Sequence, residues 1–309
     1  MKKYVNLFVF VFMIGACLSQ GRAQTKSAVS YKNPVVDIAM PDPTVIKAAD
    51  GYFYVYATES TRNVPIMKSK DLVEWTYCNT AFTNKTRPRF EPKAGIWAPD
   101  INYINGKYVL YYAMSVWGGE QTCGIGVATA NSPQGPFTDH GKMFRSNEIG
   151  VQNSIDPSLL QYEGRNYLVW GSFRGIYVIE LTEDGLSLKP GAEKKRIAGT
   201  AFEAAYIHKH GDYYYMFASI GSCCEGIRST YKVVVGRSKK VWGPYKDKSG
   251  KPMLKNGYSL VIGANDYFVG NGHGSQMIRD DAGQDWLLYH GFSRSAPENG
   301  RILLLDQIK

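Results

Sequence analysis

Four acids and a histidine recur at matching points of one repeated pattern. Asp42 and Asp156 each precede a proline, Glu203 sits between Phe202 and Ala204-Ala205, and Asp100 and His273 head two further copies. Acids gathered at one place cannot all ionise comfortably, so their pKa values separate. Such separation is what general acid–base chemistry needs: one carboxyl held protonated near neutral pH and another held ionised. Glu203 has the most apolar flanks, and desolvation there would raise its pKa. The prolines after Asp42 and Asp156 are expected to hold both backbones extended.

The elements that must position these groups are short strands. Asp42-Pro-Thr-Val-Ile-Lys-Ala-Ala-Asp-Gly-Tyr-Phe-Tyr-Val-Tyr reads as an apolar strand, a glycine turn and an aromatic strand. The segments from Asp100, Asp156, Glu203 and His273 repeat it at intervals of 58, 56, 47 and 70 residues. Alternation and turn chemistry make each copy a hairpin. Further strands are expected at Ile66–Ser69, Ile125–Ala128, Ile176–Ile179 and Val233–Gly236. Strand-only self-similarity at this period predicts an all-β fold, a five-bladed β-propeller filling residues 30–309 as a single domain with little helix. The first strand of each blade starts near the axis of such a fold, so the five chemical positions are expected to face one another.

Residues 1–23 read as an export signal. Lys2 and Lys3 precede an apolar run too short to span a bilayer, and Gly21-Arg22-Ala23 offers a cleavage site with Gln24 as the mature N-terminus. Ile14-Gly15-Ala16-Cys17 supports a second reading, a lipoprotein anchored through Cys17 in the outer membrane rather than a periplasmic or secreted enzyme. No later stretch reaches membrane length. Losing Lys2, Lys3 and Arg22 takes the formal charge from +9 to +6, and the remaining basic residues are scattered, which argues against nucleic-acid binding. Cys78, Cys123, Cys223 and Cys224 permit disulfides without assigning them, and no C-x-x-C pair suggests zinc or haem. Cys223-Cys224 marks a loop, with no chemistry that requires it. A monomer is expected.

The sequence resembles glycoside hydrolase family 43, the five-bladed arabinan- and xylan-side-chain hydrolases. The resemblance is carried by Asp42-Pro-Thr-Val-Ile, Ser69-Lys-Asp-Leu-Val-Glu-Trp75, Ile96-Trp-Ala-Pro-Asp100, Ser154-Ile-Asp-Pro157 and Phe202-Glu-Ala. A narrower likeness to its arabinanase branch rests on Trp170-Gly-Ser-Phe-Arg-Gly-Ile176, Cys223-Cys-Glu-Gly-Ile-Arg-Ser-Thr-Tyr231 and Gly270-Asn-Gly-His273. It implies cleavage of α-1,5-linked L-arabinofuranose in arabinan or arabino-oligosaccharides of plant pectin. It also implies Asp42 as general base, Glu203 as general acid and Asp156 as the group that tunes and orients the acid. Configuration is inverted, so Asp42 activates a water. His273 resembles the histidine that helps hold Ca²⁺ with bound waters in arabinanases; oxygen is that ion's preferred ligand, so water supplies most of the shell. Trp97 is the candidate sugar-stacking platform, and Asn153 and Ser172 fall in segments that line the family's pocket.

Three departures bear on specificity and closure. Pro41 and Asn271 replace a His and a Pro common in arabinanases, which leaves endo against exo action open. The sequence ends at Asp306-Gln-Ile-Lys309 without the Trp- and Gly-rich ending of many relatives, which leaves closure of the ring open. An exo-acting arabinofuranosidase or β-xylosidase of the same family, a retaining fructan- or sucrose-cleaving propeller and a non-catalytic glycan-binding propeller are the competing readings.

Overall fold

The run Phe-Tyr-Val-Tyr at 53–56 is β-branched or aromatic throughout, and all four side chains are buried. Strands covered on both faces read as continuous apolar runs, and only partly solvated ones alternate. The described chain, residues 30–308 of a computed structural model, shows both kinds. The leader expected at 1–23, with Cys17, lies outside the described residues.

A first strand, β1 (Val36–Ala39), is followed by three antiparallel four-stranded sheets. They are β2–β5 (Thr44–Lys47, Phe53–Tyr56, Pro65–Ser69, Thr76–Thr80), β6–β9 (Gly95–Ile104, Lys107–Ser115, Gly124–Ala130, Thr138–Arg145) and β10–β13 (Ser158–Tyr162, Arg165–Trp170, Ile176–Glu180, Lys195–Ala198). Next come β14–β17 (Glu203–His210, Tyr213–Ile220, Lys232–Ser238, Ser259–Ile262), β18 (Phe268–Gly272), β19 (Ile278–Arg279), β20 (Asp285–Ser293) and β21 (Ile302–Ile308). These nine-stranded pairings include β1, which hydrogen-bonds to β21. One parallel pair, Lys232 with Asn271, joins two otherwise antiparallel groups, β14–β17 and β18–β21. Among the described residues helix is limited to α1 (Ser146–Ile149) and three single 3₁₀ turns.

The core lies between consecutive sheets. Tyr54, Tyr56 and Ile66 pack with Ile101, Leu110 and Tyr112 from the next sheet. Tyr111 and Val127 pack with Leu168 and Trp170, and Val169 and Val178 pack with Met216 and Val234. Several buried tyrosines pair their hydroxyls, as Tyr111 does in donating to the Gly185 carbonyl at 2.8 Å. That pairing is what allows so much tyrosine inside.

The repeat is real, but its register differs from the one read off the acids. Asp42, Ala98, Asp156, Ala204 and His273 all have left-handed backbones, with φ of 53°, 43°, 57°, 50° and 49°. The two residues that follow each of these five line one small cavity. Asp100 is therefore equivalent to Thr44 and Ser158, and Glu203 stands one residue before its equivalent position. The prolines at 43, 99 and 157 mark the alignment better than the carboxylates do. The expectation of extended aspartates before proline also fails. A non-glycine residue at positive φ costs of order 1–3 kcal/mol and persists where its surroundings over-determine it. Here the amides are held by side chains: Asp42 N–H by His290 Nδ1 (3.0 Å), Ala98 N–H by Thr58 Oγ1 (2.7 Å), Ala204 N–H by Asp156 Oδ2 (3.1 Å) and His273 N–H by Ser219 Oγ (2.8 Å).

Candidate active site

Asp42, Asp156, Glu203, Trp97, Asn153, Ser172 and His273 all line a single cleft of about 700 Å³. Its floor is charged and its walls carry Val116, Trp117, Ile155 and Phe173. Asp100 is absent from this lining and instead faces the small axial cavity. There it accepts from the Asn102 amide (2.6 Å) and the Leu159 N–H (2.8 Å), tying two sheets together, while burial pushes its pKa up to about 7.

Asp42 enters ahead of β2 and meets three basic side chains from the end of the chain. Arg301 Nη1 donates to Oδ1 at 2.8 Å, His273 Nδ1 and His290 Nδ1 lie 3.3 Å from the same oxygen, and Thr58 donates to Oδ2 at 2.6 Å. Burial alone would raise the Asp42 carboxyl, but Arg301 above all, then the histidines and Thr58, hold it well below the usual carboxylate range. Burial also lowers the pKa of both histidines, His290 the more strongly. Neutral imidazoles carry no charge to Asp42, so near neutral pH its counter-ion is Arg301.

Glu203 begins β14, with Oε2 receiving the Ser172 hydroxyl at 2.6 Å and the carboxylate also receiving the Tyr231 hydroxyl. Burial raises its pKa against both donors. Asp156 is raised further, by burial first and then by the charges of Glu203 and Asp42, against the single Ala204 N–H it accepts. The two carboxyls interact strongly enough to titrate as one unit, so their first protonation lies above the ordinary carboxyl range. The arrangement can therefore hold an ionised base at Asp42 and a proton on the Asp156–Glu203 pair.

Asn153 acts through Ser172: its amide donates to the Ser172 hydroxyl at 2.9 Å and carbonyl at 3.1 Å, and that hydroxyl donates onward to Glu203. Both were expected to bind substrate, and both line the cleft, but their visible partners form a relay to the acid. Trp97 is half-buried, with its ring 6.5 Å from that of Trp117, which is 81% exposed. Sequence reasoning missed Arg301, His290, Thr58, Tyr231 and Trp117. Only Trp117, a tryptophan after a strand and before two glycines, left a local signal. Gly272 matters here because a Cβ would lie 2.1 Å from the Tyr231 ring, so only glycine lets Tyr231 reach Glu203. At the far ends of β14 and β20, His208, His210 and Asp285 gather separately, with Asp285 already gripped by both nitrogens of the Arg279 fork.

The model of the Glycosyl hydrolases family 43 matches residues 31–309. The extracellular endo-α-(1→5)-L-arabinanase 1 of Bacillus subtilis is 39% identical over 281 residues, 86% of this chain and 84% of that protein. The extracellular exo-α-(1→5)-L-arabinofuranosidase ArbA of Cellvibrio japonicus is 36% identical over 279 residues, 81% of this chain and 78% of that one. The structure of Cellvibrio cellulosa α-L-arabinanase complexed with arabinohexaose superposes with a TM-score of 0.79 at 32% identity, covering 88% of this chain and 92% of the other. With a polarised carboxylate pair in the cleft and a family match along the whole described chain, this protein belongs to glycosyl hydrolase family 43.

Proposed function

We propose that this protein is an inverting endo-acting hydrolase of α-1,5-linked arabinan, built as a single five-bladed β-propeller. The observation that carries the reading is the split between Asp42, held ionised by Arg301, and the buried, protonated Asp156–Glu203 pair. Asp42 takes a proton from water as the water attacks the anomeric carbon. Glu203 gives the pair's proton to the departing glycosidic oxygen, and Asp156, which shares that proton with it, keeps the pair protonated until it is needed. Ser172, itself held by Asn153, and Tyr231 fix the Glu203 carboxyl, and Trp97 offers a face for a furanose ring. The propeller reading is supported by the four sheets, the five left-handed strand entries and the β1–β21 pairing that closes the last group.

The axial cavity beside His273 fits a Ca²⁺ ion held mainly through water. His273 and the oxygens of Asp100, Asp156 and Gln276 line it, and the buried Tyr206 hydroxyl has no partner. Bound there, the ion would supply positive charge beneath the buried carboxylates. Export agrees with the extracellular names of the two bacterial relatives. A lipid at Cys17 is the alternative anchor, and N-terminal sequencing of native material separates it from a start at Gln24.

Linear arabinan tests the reading. The expected outcome is a spread of oligosaccharides early in the reaction, with the first-formed anomer inverted by NMR. Monomer or one fixed short product would make the enzyme exo-acting. A retained anomer would remove the water-activating role from Asp42.

A further inference from the structure

The connection from β15 to β16 carries a disulfide between adjacent residues, Cys223–Cys224. Both cysteines line the catalytic cleft; Cys223 is half-buried and Cys224 exposed. The loop is tightly tied. The Ser222 carbonyl accepts from Thr230 N–H (3.1 Å) and Tyr231 N–H (3.0 Å), Ser222 N–H donates to Thr230 Oγ1 (3.0 Å), and Glu225 N–H donates to Ser229 Oγ (2.9 Å). Its last residue, Tyr231, is the one that donates to Glu203.

Resting on the arabinan reading, we propose that the Cys223–Cys224 disulfide is a specificity-determining surface that packs against the arabinofuranose unit on the leaving-group side of the scissile bond. Inversion places the attacking water and the departing oxygen on opposite faces of the anomeric carbon. The sugar beyond the acid is thus the departing one, and β15, whose Ser219 pairs with Glu203, runs directly into this loop. Joined sulfurs have no S–H donor and no thiolate. They are polarisable and apolar, matching the C–H face of a furanose. The ring closed through the intervening peptide also holds the two sulfurs in one orientation. Two free thiols would rotate independently, add donors that the sugar face cannot accept, and release the loop.

The experiment compares wild type, the double variant Cys223→Ser/Cys224→Ser, and folded wild type treated with a phosphine reductant. Cys78 and Cys123 are free thiols, so among the described residues the reductant has this bond alone to cleave. Substrates are linear arabinan, which fills the leaving-group side with sugar, and a nitrophenyl arabinoside, which does not. Because dispersion contacts are individually small, the expected change is roughly a tenfold rise in KM on arabinan, with kcat held within about twofold. The nitrophenyl substrate, or a nitrophenyl oligoarabinoside if the simple one is refused, places a flat aglycone instead of a furanose on that side, and its KM should change by less than about threefold. Reduction should reproduce the variant, which covers the case in which the variant does not fold. An unchanged KM on arabinan overturns the proposal. So does an equal loss on both substrates with a moved pH profile, which would make the loop a support for Tyr231 and Glu203 instead. A wild type that leaves arabinan uncut overturns the substrate reading itself, a result distinguishable from altered disulfide behaviour in an active enzyme.

Discussion

Asp42 and Asp156 stand at equivalent left-handed entries to two inner strands, each followed by proline, yet their protonation is driven in opposite directions. Both are buried, so desolvation pushes both pKa values up. The difference is the partner. Asp42 has a guanidinium at 2.8 Å, whereas Asp156 has an amide and two other carboxylates nearby. Backbone position and burial therefore do not assign base and acid; neighbouring charge does.

The largest effect should come from breaking each side in turn. Glu203→Ala should lower cleavage of linear arabinan by about 10²–10⁴, the usual worth of a positioned acid. It should lose far less on an aryl arabinoside whose phenolate needs little protonation. Asp42→Ala should lose on both, because water must be activated whatever departs. If an endo enzyme refuses the simple aryl glycoside, a nitrophenyl oligoarabinoside serves. A spared Asp42→Ala variant on the aryl substrate, with Glu203→Ala equally impaired on both, would reverse the two assignments.

Arg301→Met removes the one charged donor to Asp42. Hydrogen bonds to charged groups are worth about 1.5–3 kcal/mol, so kcat/KM should fall roughly ten- to a hundredfold. The sign of the pH effect follows from the same contact: losing Arg301 raises the Asp42 pKa, so the acid limb of kcat/KM moves to higher pH. An unmoved acid limb would mean that Arg301 does not keep Asp42 ionised.

Asp156→Asn sharpens the other side. Without the neighbouring carboxylate Glu203 loses its proton more easily, and the alkaline limb of kcat/KM should move to lower pH. Movement in the opposite direction would sink the tuning role. The smallest change is expected from Ser172→Ala. That hydroxyl favours the ionised form of Glu203, so its loss should shift the alkaline limb slightly upward, with a few-fold fall in kcat from a less firmly held acid. For the proposed ion, elemental analysis of purified protein should find calcium, and chelation should lower Tm until Ca²⁺ is restored. No metal and no change in Tm would remove it.

What the sequence determined by itself is what local rules govern. Period-two patterns, glycine turns and aromatic runs placed β4, β8, β12 and β16 within a residue or two of their observed bounds, because strand and turn preferences act over a few residues. The same repeats brought Asp42, Asp156, Glu203 and His273 forward as a group, together with Asp100. Tertiary structure decided the rest. Arg301 reaches Asp42 across 259 residues of chain and His290 across 248, separations over which no spacing rule operates. The register of the repeat depended on left-handed residues held by hydrogen bonds to neighbouring strands, so the acids alone misaligned Asp100 and Glu203. Cys223 and Cys224 could be counted in the sequence, but their union and their place in the cleft wall follow from how the β15–β16 loop folds back on Ser222. The residue types capable of acid–base chemistry were legible; which would hold a proton was set by charges that only the folded chain brings together.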